Sequence, residues 1–348
     1  MRERARIGVV GAGNNTRLKH IPGFQAIKGV QVVAVANRTR ESGERVAKQF
    51  NIPKVYDNWM YLVQDKDIDA ICIGTWPYMH CPVTLAALEN DKHVLTEARM
   101  ALNASEARTM LAAARRKPHL VTQIVPAPHT LKVDRYIREL ILEGYIGDIL
   151  SVMVAPGPSS FIDYDSPLHW RQDFDLSGYN TLVMGIWYEA MMRWVGPATR
   201  VTALTRTWVN KRKDPETGLL RFVTVPDHVE ILCDLACGAT AHLRFSAVTG
   251  LAPGQVWLFG SQGTLHLNTD TVTLYGGRRG DKQLKELPVP PDKQGGWRVE
   301  EEFINAIRGQ EKVTHTSFED GVRYMDFTEG VIKSAKTGRA VVLPLDLD

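Results

Sequence analysis

The feature that most constrains this chain is a regular exchange of short apolar strands and helical segments over residues 1–122, and it begins at a glycine turn. Residues 6–13 read Arg-Ile-Gly-Val-Val-Gly-Ala-Gly, an apolar strand running into Gly11 and Gly13. Residues 14–26 then lead into a helix. A short strand at 55–56, a near-continuous apolar strand at 68–75 and strands at 30–37, 93–96 and 120–123 alternate with helical segments at 41–50, 58–64, 82–90 and 104–116. Pro82 suits the first turn of its helix. Strands that read as unbroken apolar runs are buried on both faces, and a βαβ rhythm of this kind predicts a doubly wound parallel sheet.

Such a sheet binds ligands at the carboxyl ends of its strands. Gly11, Gly13, Asn14, Asn15, Asn37, Thr75, Trp76, His80 and Glu97 all fall there. The glycines permit a tight turn and close approach of backbone to a pyrophosphate, which the following helix N-terminus would attract. The third glycine of the usual pattern is replaced by Thr16. The second strand ends in Asn37-Arg38-Thr39-Arg40, where a ribose-reading residue is expected. A carboxylate would bind the ribose hydroxyls of NAD. Asn37 exerts no such repulsion on a 2′-phosphate, and Arg38 and Thr39 are placed to contact one, so NADP is favoured over NAD. The alternative is that Arg38 and Arg40 are solvated charges at a helix start.

Residues 123–348 read as a second domain for substrate binding and oligomerisation. A helix is expected at 132–142, a strand at 149–154, and a Pro/Gly/Ser/Asp-rich loop at 156–167 that would lie over the substrate. Next come a strand at 201–209, a polar hairpin tip at 211–218, hairpins at 229–247 and 256–267, and a strand at 272–275. An exposed loop at 277–297 precedes helices at 299–308 and 318–337.

The 348 residues are 44% hydrophobic with a net charge of +3, too small to argue for nucleic acid or an anionic membrane. No apolar run approaches the roughly 18 residues of a membrane span, and the charged residues 1–6 do not read as a signal peptide. Four cysteines in a chain of this length predict reduced thiols and a cytoplasmic location. Cys233 and Cys237, four apart on an expected strand, would face one side as small core residues; no metal site is expected.

The glycine turn, Val55-Tyr56-Asp57-Asn58-Trp59, Asp67-Ile68-Asp69-Ala70-Ile71, the 75–80 loop and Asp91-Lys92-His93-Val94-Leu95-Thr96-Glu97 occur in a characteristic order. They are followed by Glu143-Gly144-Tyr145-Ile146-Gly147-Asp148, Trp170-Arg171, Met192-Arg193-Trp194-Val195-Gly196, Gly260-Ser261-Gln262-Gly263-Thr264-Leu265, Glu302-Phe303-Ile304-Asn305 and Phe318-Glu319-Asp320-Gly321. In this combination the chain resembles the glucose–fructose oxidoreductase, inositol dehydrogenase and rhizopine-catabolism (Gfo/Idh/MocA) family. The resemblance implies an N-terminal Rossmann domain and a C-terminal α/β domain with a large open, mostly antiparallel sheet. It implies a homo-oligomer, dimer or tetramer, formed through that sheet, and NAD(P)-dependent oxidation or reduction of a secondary alcohol on a sugar, cyclitol or related polyol.

The chain departs from the family where the proton is handled. Glu97-Ala98-Arg99 stands where the family places Glu-Lys-Pro, and Val183, Trp187 and Ala190 stand where it places an aspartate, a histidine and a second aspartate. Oxidising an alcohol needs a proton acceptor, and a positioned one contributes about 10²–10⁴-fold. The replacement candidates are Tyr188, His169 and Asp173, with Tyr179, Glu189 and His80 behind them. His80 also reads as a packing residue of the cofactor loop, and Arg171 and Asp173 as a mutual ion pair. Arg99, Arg171, Asn180 and Trp187 are expected to bind substrate; Asn180, Val183 and Trp187 would share one face of a helix over 180–194. Three readings stay open: an oxidoreductase with non-standard acid–base residues, a redox-neutral glycoside-cleaving or eliminating enzyme that keeps its cofactor bound, and a non-catalytic sugar or cofactor sensor.

Overall fold

The computed structural model describes residues 4–157 and 160–346. Pro158 and Ser159, inside the loop expected over the substrate, lie outside the described residues. The chain packs as two units, one made of residues 4–126 and 298–322, the other of 127–297 and 323–346.

In the first unit β1 (Ala5–Val10), α1 (Ile21–Ala26), β2 (Val30–Ala36), α2 (Arg40–Phe50), β3 (Lys54–Tyr56), α3 (Trp59–Gln64), β4 (Ala70–Ile73), α4 (His80–Glu89), β5 (His93–Thr96), α5 (Ala104–Arg116) and β6 (Thr122–Ile124) alternate along the chain. The strands form one fully parallel sheet in the order β3-β2-β1-β4-β5-β6. The order reverses between β1 and β4, the place where such sheets open a crevice. Ile7, Val9, Ile71, Val94 and Leu95 are fully buried in this sheet, which is why these strands read as unbroken apolar runs. Thr39, Asn58 and Asn103 cap α2, α3 and α5 by accepting backbone N–H bonds, so local chemistry fixes where each helix begins.

The second unit contains α6 (Leu131–Leu142), β7 (Ile149–Ala155), α7 (Phe174–Ser177), α8 (Met184–Val195), β8 (Ala198–Arg206) and a small hairpin of β9 (Lys211–Lys213) and β10 (Leu220–Phe222). It continues with β11 (His228–Leu235), β12 (Thr240–Ser246), β13 (Gln255–Gly260), β14 (Gly263–Asn268), β15 (Thr273–Arg278) and β16 (Lys285–Glu286). The chain then adds α9 (Val299–Ile307), α10 (Phe318–Thr337) and β17 (Val341–Val342). The large sheet runs β16-β15-β14-β13-β7-β12-β11-β8-β17 and is antiparallel except at the β7–β12 pair.

The return of residues 298–322 to the first unit departs from the reading of 123–348 as one continuous domain. Its physical cause is α9, whose Phe303 packs edge-on against Phe24 with ring centroids 6.3 Å apart. Cys233 is buried but Cys237 is exposed, because β11 ends at Leu235 and the two cysteines do not share a strand face. All four cysteines are free thiols. Among the described residues no helix is long and apolar enough to cross a membrane.

Candidate active site

At the β1–β4 switch point three glycines clear a floor. Gly11 has φ +80°, and a Cβ there would stand 2.5 Å from Thr75 Cγ2 and 2.8 Å from the Thr75 amide nitrogen. A Cβ on Gly74 would lie 2.3 Å from the Gly11 carbonyl oxygen, and one on Gly13 would lie 3.1 Å from the Gly74 oxygen. The two strand ends therefore touch backbone to backbone, and no side chain stands where a pyrophosphate would lie. Replacing Gly11 with alanine is expected to weaken nicotinamide dinucleotide binding by at least about tenfold, read by calorimetry, because it adds both a left-handed strain and a clash.

Above this floor is a cavity of about 260 Å³ lined by Gly11, Gly13, Asn37, Arg38, Thr75 and Trp76. Ser42 and Tyr78 also line it and were not foreseen. Asn37 is fixed at both ends: its Oδ1 accepts from Ala12 N at 2.8 Å and its Nδ2 donates to Ser42 Oγ at 3.0 Å. Arg40 pairs with Glu44 and Asp57, the Thr39 hydroxyl caps α2, and Arg38 lines the cavity itself. The Arg38 guanidinium lies 5.9 Å from the Trp76 ring centroid, a pairing suited to a planar base and a phosphate. The buried Thr75 hydroxyl has no hydrogen-bond partner among the described residues. The open floor and this unpartnered hydroxyl fit a bound dinucleotide.

The helical stretch after the turn opens as a π-helix over Thr16–His20, where Ile21 N donates to Thr16 O. π-turns recur at functional sites. This one buries His20 completely. His20 Nε2 lies 3.0 Å from Glu97 Oε1 and Nδ1 lies 2.5 Å from Glu300 Oε1, while Asn15 Nδ2 donates to Glu97 Oε1 at 2.5 Å. Gly23 on α1 leaves room for Glu300, since a Cβ there would meet the Glu300 carboxyl carbon at 2.8 Å. Burial alone would push the His20 pKa down, but the bonds to Glu300 and Glu97 override it and raise it from 6.5 to about 9. For Glu97 burial works upward, and the His20 and Asn15 contacts outweigh it and hold the carboxyl below its usual range. The strand end expected to hold a lysine thus carries a buried imidazolium between two carboxylates. His20 and Glu300 were not foreseen; Asn15 and Glu97, each expected at the cofactor, bond to one another, whereas Asn14 is exposed.

His80 is not a cofactor contact. It is fully buried, with Nδ1 2.9 Å from Arg99 O and Nε2 3.0 Å from Thr75 O, so it ties the loop after β4 to the strand end after β5. Burial lowers its pKa despite both carbonyls. Arg99 is buried as well, which removes it from the role of an exposed substrate or oxyanion binder.

In the second unit several candidates belong to the framework. Tyr188 is in the core: its ring stacks on Phe327 at 3.6 Å, its hydroxyl accepts from Ala198 N at 2.9 Å, and burial raises its pKa. It cannot serve as an accessible acid. Asp173 caps α7 and pairs with Arg221 at 2.8 Å, so it is neither a base nor the partner of Arg171. Asn180 precedes α8 and bonds Ser177 O at 2.6 Å; it is buried and shares no helical face with Trp187, because the helix begins only at Met184. Val183 is 37% exposed. Glu189 is buried and accepts from Ala127 N through both oxygens.

His169 and Arg171 do come together, on the wall of a cavity of about 220 Å³ with Asp163, Gln172, Arg212 and Asp227. Arg212 pins part of the 156–167 loop by donating to Ser166 O at 2.8 Å and Asp163 O at 2.7 Å. The Arg171 guanidinium stacks 4.2 Å from the Trp170 ring centroid. His169 Nδ1 accepts from Arg171 N at 3.2 Å, so its lone pair is engaged there and the Nε2 of the neutral ring carries hydrogen. In that tautomer Nε2 offers a hydrogen-bond donor. Trp187, 4% exposed, lies flat against His129 with centroids 5.6 Å apart and planes 7° from parallel.

Comparison with known proteins gives this geometry a family. Residues 5–124 match the model of an oxidoreductase family with an NAD-binding Rossmann fold, GFO_IDH_MocA, and residues 135–266 match the GFO/IDH/MocA C-terminal domain. The chain is 27% identical over 294 residues to trans-1,2-dihydrobenzene-1,2-diol dehydrogenase of Mus musculus, covering 82% of this chain and 80% of that protein. It is 27% identical over 344 residues to dTDP-3,4-didehydro-2,6-dideoxy-alpha-D-glucose 3-reductase of Streptomyces antibioticus, covering 96% and 98%. The fold superposes on levoglucosan dehydrogenase in complex with NADH and L-sorbose at a TM-score of 0.86 and 21% identity, over 98% of this chain and 99% of that one. With both domains matched in order, the chain belongs to the Gfo/Idh/MocA family of oxidoreductases.

Proposed function

We propose that this protein is an NAD(P)-dependent oxidoreductase acting on a secondary alcohol of a sugar, cyclitol or related polyol, with NADP preferred and with acid–base residues other than the usual lysine and histidine. The observation that carries the reading is the glycine-cleared switch point ending in the Asn37–Arg38–Trp76 corner, which lacks a carboxylate at the ribose position. The names of relatives that act on diols and deoxysugars support the substrate class. The nicotinamide, when bound, supplies the hydride acceptor or donor. This chain's residues do the rest: Asn37 and Arg38 hold the ribose end, Asn15 and Glu97 hold a fixed polar edge at the end of β5, and His169, Arg171 and Trp187 bind the polyol.

Incubating the purified protein with NADP⁺ or NAD⁺ and levoglucosan, myo-inositol, glucose or L-sorbose tests this. The expected result is reduced-cofactor absorbance with at least one polyol and tighter calorimetric binding of NADP⁺ than of NAD⁺. Absence of turnover with every member of the panel overturns the reading as an oxidoreductase of these polyols.

The open face of the large sheet supports a homo-oligomer, dimer or tetramer. Thr202, Leu232, His242, Met153, Trp257, His266 and Tyr275 are register neighbours across it. Leu204 and Leu232 are 64% and 61% exposed, and the rings of Trp257, His266 and Tyr275 stack in a row. A stripe of this kind marks an association surface. Placing glutamate at both Leu232 and Trp257 is expected to convert the protein to monomers by light scattering; an unchanged mass places the interface elsewhere.

A further inference from the structure

The connection from β13 to β14 and the one from β15 to β16 lie at one end of the large sheet, and a cavity of about 490 Å³ opens between them. It is larger than the cofactor cavity and the His169 cavity, and its size is that of small-molecule sites. All of its lining residues belong to the second unit. Much of its wall is backbone. A Cβ on Gly263 would lie 2.7 Å from the Gly277 oxygen, and one on Gly260 would run into the Ile146 carbonyl. The two connections are also tied to each other and to the segment before β7. Arg279 N donates to Gln262 O at 2.8 Å, Gln262 N to Ile146 O at 2.8 Å and Ser261 N to Asp148 O at 2.9 Å. A shape held by this many backbone bonds needs no ligand to form it.

The charged residues lining this cavity are Arg278, Arg279, Lys282 and Asp281, a net formal charge of +2 on a chain whose total is +3. The Asp281 carboxylate is turned to the backbone, where its Oδ2 accepts from Arg278 N at 2.8 Å. Among the described residues none of the three cations makes an ion pair. Other exposed arginines of this unit are met by carboxylates: Arg200 by Asp234, and Arg221 by Asp173 and Asp214. The two guanidiniums here are fixed by uncharged neighbours instead. Arg279 Nη2 donates to Ser261 O at 2.9 Å, and the Arg278 guanidinium lies 5.6 Å from the Tyr145 ring centroid. Each keeps further N–H donors for a ligand. Three like charges around one concavity repel one another, and an anion between them relieves that repulsion. A single carboxylate would engage one guanidinium. Two planar forks and an ammonium match a ligand with several oxygens and more than one negative charge, and a guanidinium pairs with phosphate oxygens two at a time.

We propose that this cavity is a second ligand site, built from other residues than the cofactor cavity, and that it binds the diphosphate group of a small molecule. Arg278 and Arg279 hold the phosphate oxygens, and Lys282 adds the third positive charge. The site is independent of the oxidoreductase reading, since recognition here rests on charge and shape alone. Cations near an edge strand such as β16 also discourage strand pairing. That duty requires neither a preformed cavity nor guanidiniums fixed by neutral partners.

The test is calorimetry with pyrophosphate, orthophosphate, sulfate, ADP and UDP on protein already saturated with NADP⁺, which occupies the glycine floor of the first unit. Pyrophosphate and both nucleoside diphosphates should bind with a Kd below about 1 mM, at least about tenfold tighter than orthophosphate or sulfate, and more weakly as salt is added. Replacing Arg278 and Arg279 together with alanine should weaken pyrophosphate binding at least about tenfold, and Lys282→Glu should act in the same direction. These side chains are exposed, so NADP⁺ binding and the melting temperature should stay as in wild type. Arg38→Ala should leave pyrophosphate binding unchanged. A nucleoside diphosphate that binds more tightly than pyrophosphate supports the site with a nucleotide as its ligand, and equal affinities support it with the diphosphate alone. Equal binding of all five anions, loss of pyrophosphate binding in Arg38→Ala, or no heat from any of them at millimolar concentration overturns the proposal. A second readout holds whether or not NADP⁺ binds: the backbone amide resonances of residues 260–264 and 277–284 should shift on addition of pyrophosphate. Shifts confined to other residues overturn the proposal as well.

Discussion

Replacing His20 with alanine should lower the melting temperature of the protein by roughly 10 °C, equivalent to about 3–5 kcal/mol, and weaken dinucleotide binding with it. The reason is what remains behind. Glu97 and Glu300 both point their Oε1 atoms at the fully buried His20 ring, at 3.0 and 2.5 Å. Without the ring, two carboxylates face an empty buried volume with no cation between them. Asn15 keeps its bond to Glu97, but that carboxylate loses the imidazole that fixes it from the other side. Differential scanning calorimetry on the variant, with NADP⁺ binding measured in parallel, checks both effects. A melting temperature within a degree or two of wild type would mean that the three side chains do not share a charge.

The same group sets a pH dependence with a definite sign. His20 binds its proton more tightly folded than unfolded, with its pKa raised from 6.5 to about 9. Its contribution is fully present below pH 6.5 and is lost as pH rises through 9. At about 1.4 kcal/mol per unit the whole effect is about 3 kcal/mol. Glu97, held below its usual range, contributes above pH 4.5 and loses that contribution in acid. The melting temperature should therefore decline between about pH 7 and 9.5, and His20→Gln should flatten that decline.

The parts of the molecule legible in the sequence are those governed by neighbours along the chain. The glycine turn, the buried strands around Ile7 and Ile71 and the caps at Thr39 and Asn58 each follow from local chemistry. The His20–Glu300 contact spans 280 residues, and no pattern near either residue announces it. A π-turn further rotates His20 inward, where a regular helix would have predicted another face. Tyr188 misled for the opposite reason. α8 is buried on nearly all sides, so its sequence carries no contrast between a wall of the site and the core. Residues 125–130 carry no strand or helix pattern, and the bonds that Ala127 makes to Glu189 and Arg193 come from more than sixty positions away.

Changing Asn37 to aspartate should exchange the cofactor preference. Asn37 Oδ1 accepts from Ala12 N, a bond that a carboxylate oxygen makes equally well. Its Nδ2 donates to Ser42 Oγ, and a serine hydroxyl can rotate to donate in return. The fold around the turn therefore survives the change, and what alters is charge. A carboxylate at the end of β2 repels a 2′-phosphate and accepts from ribose hydroxyls. The new carboxylate also stands beside Arg38, whose guanidinium lies over Trp76. The ratio of NADP⁺ to NAD⁺ affinity should fall about 100-fold, or about 2.7 kcal/mol, and Arg38→Ala in the same background should lower NADP⁺ affinity further. Isothermal calorimetry with each dinucleotide reads this directly. A ratio that stays constant through both substitutions would show that the ribose phosphate is not read by the Asn37–Arg38 corner, and would remove the ground for preferring NADP while leaving the glycine floor intact.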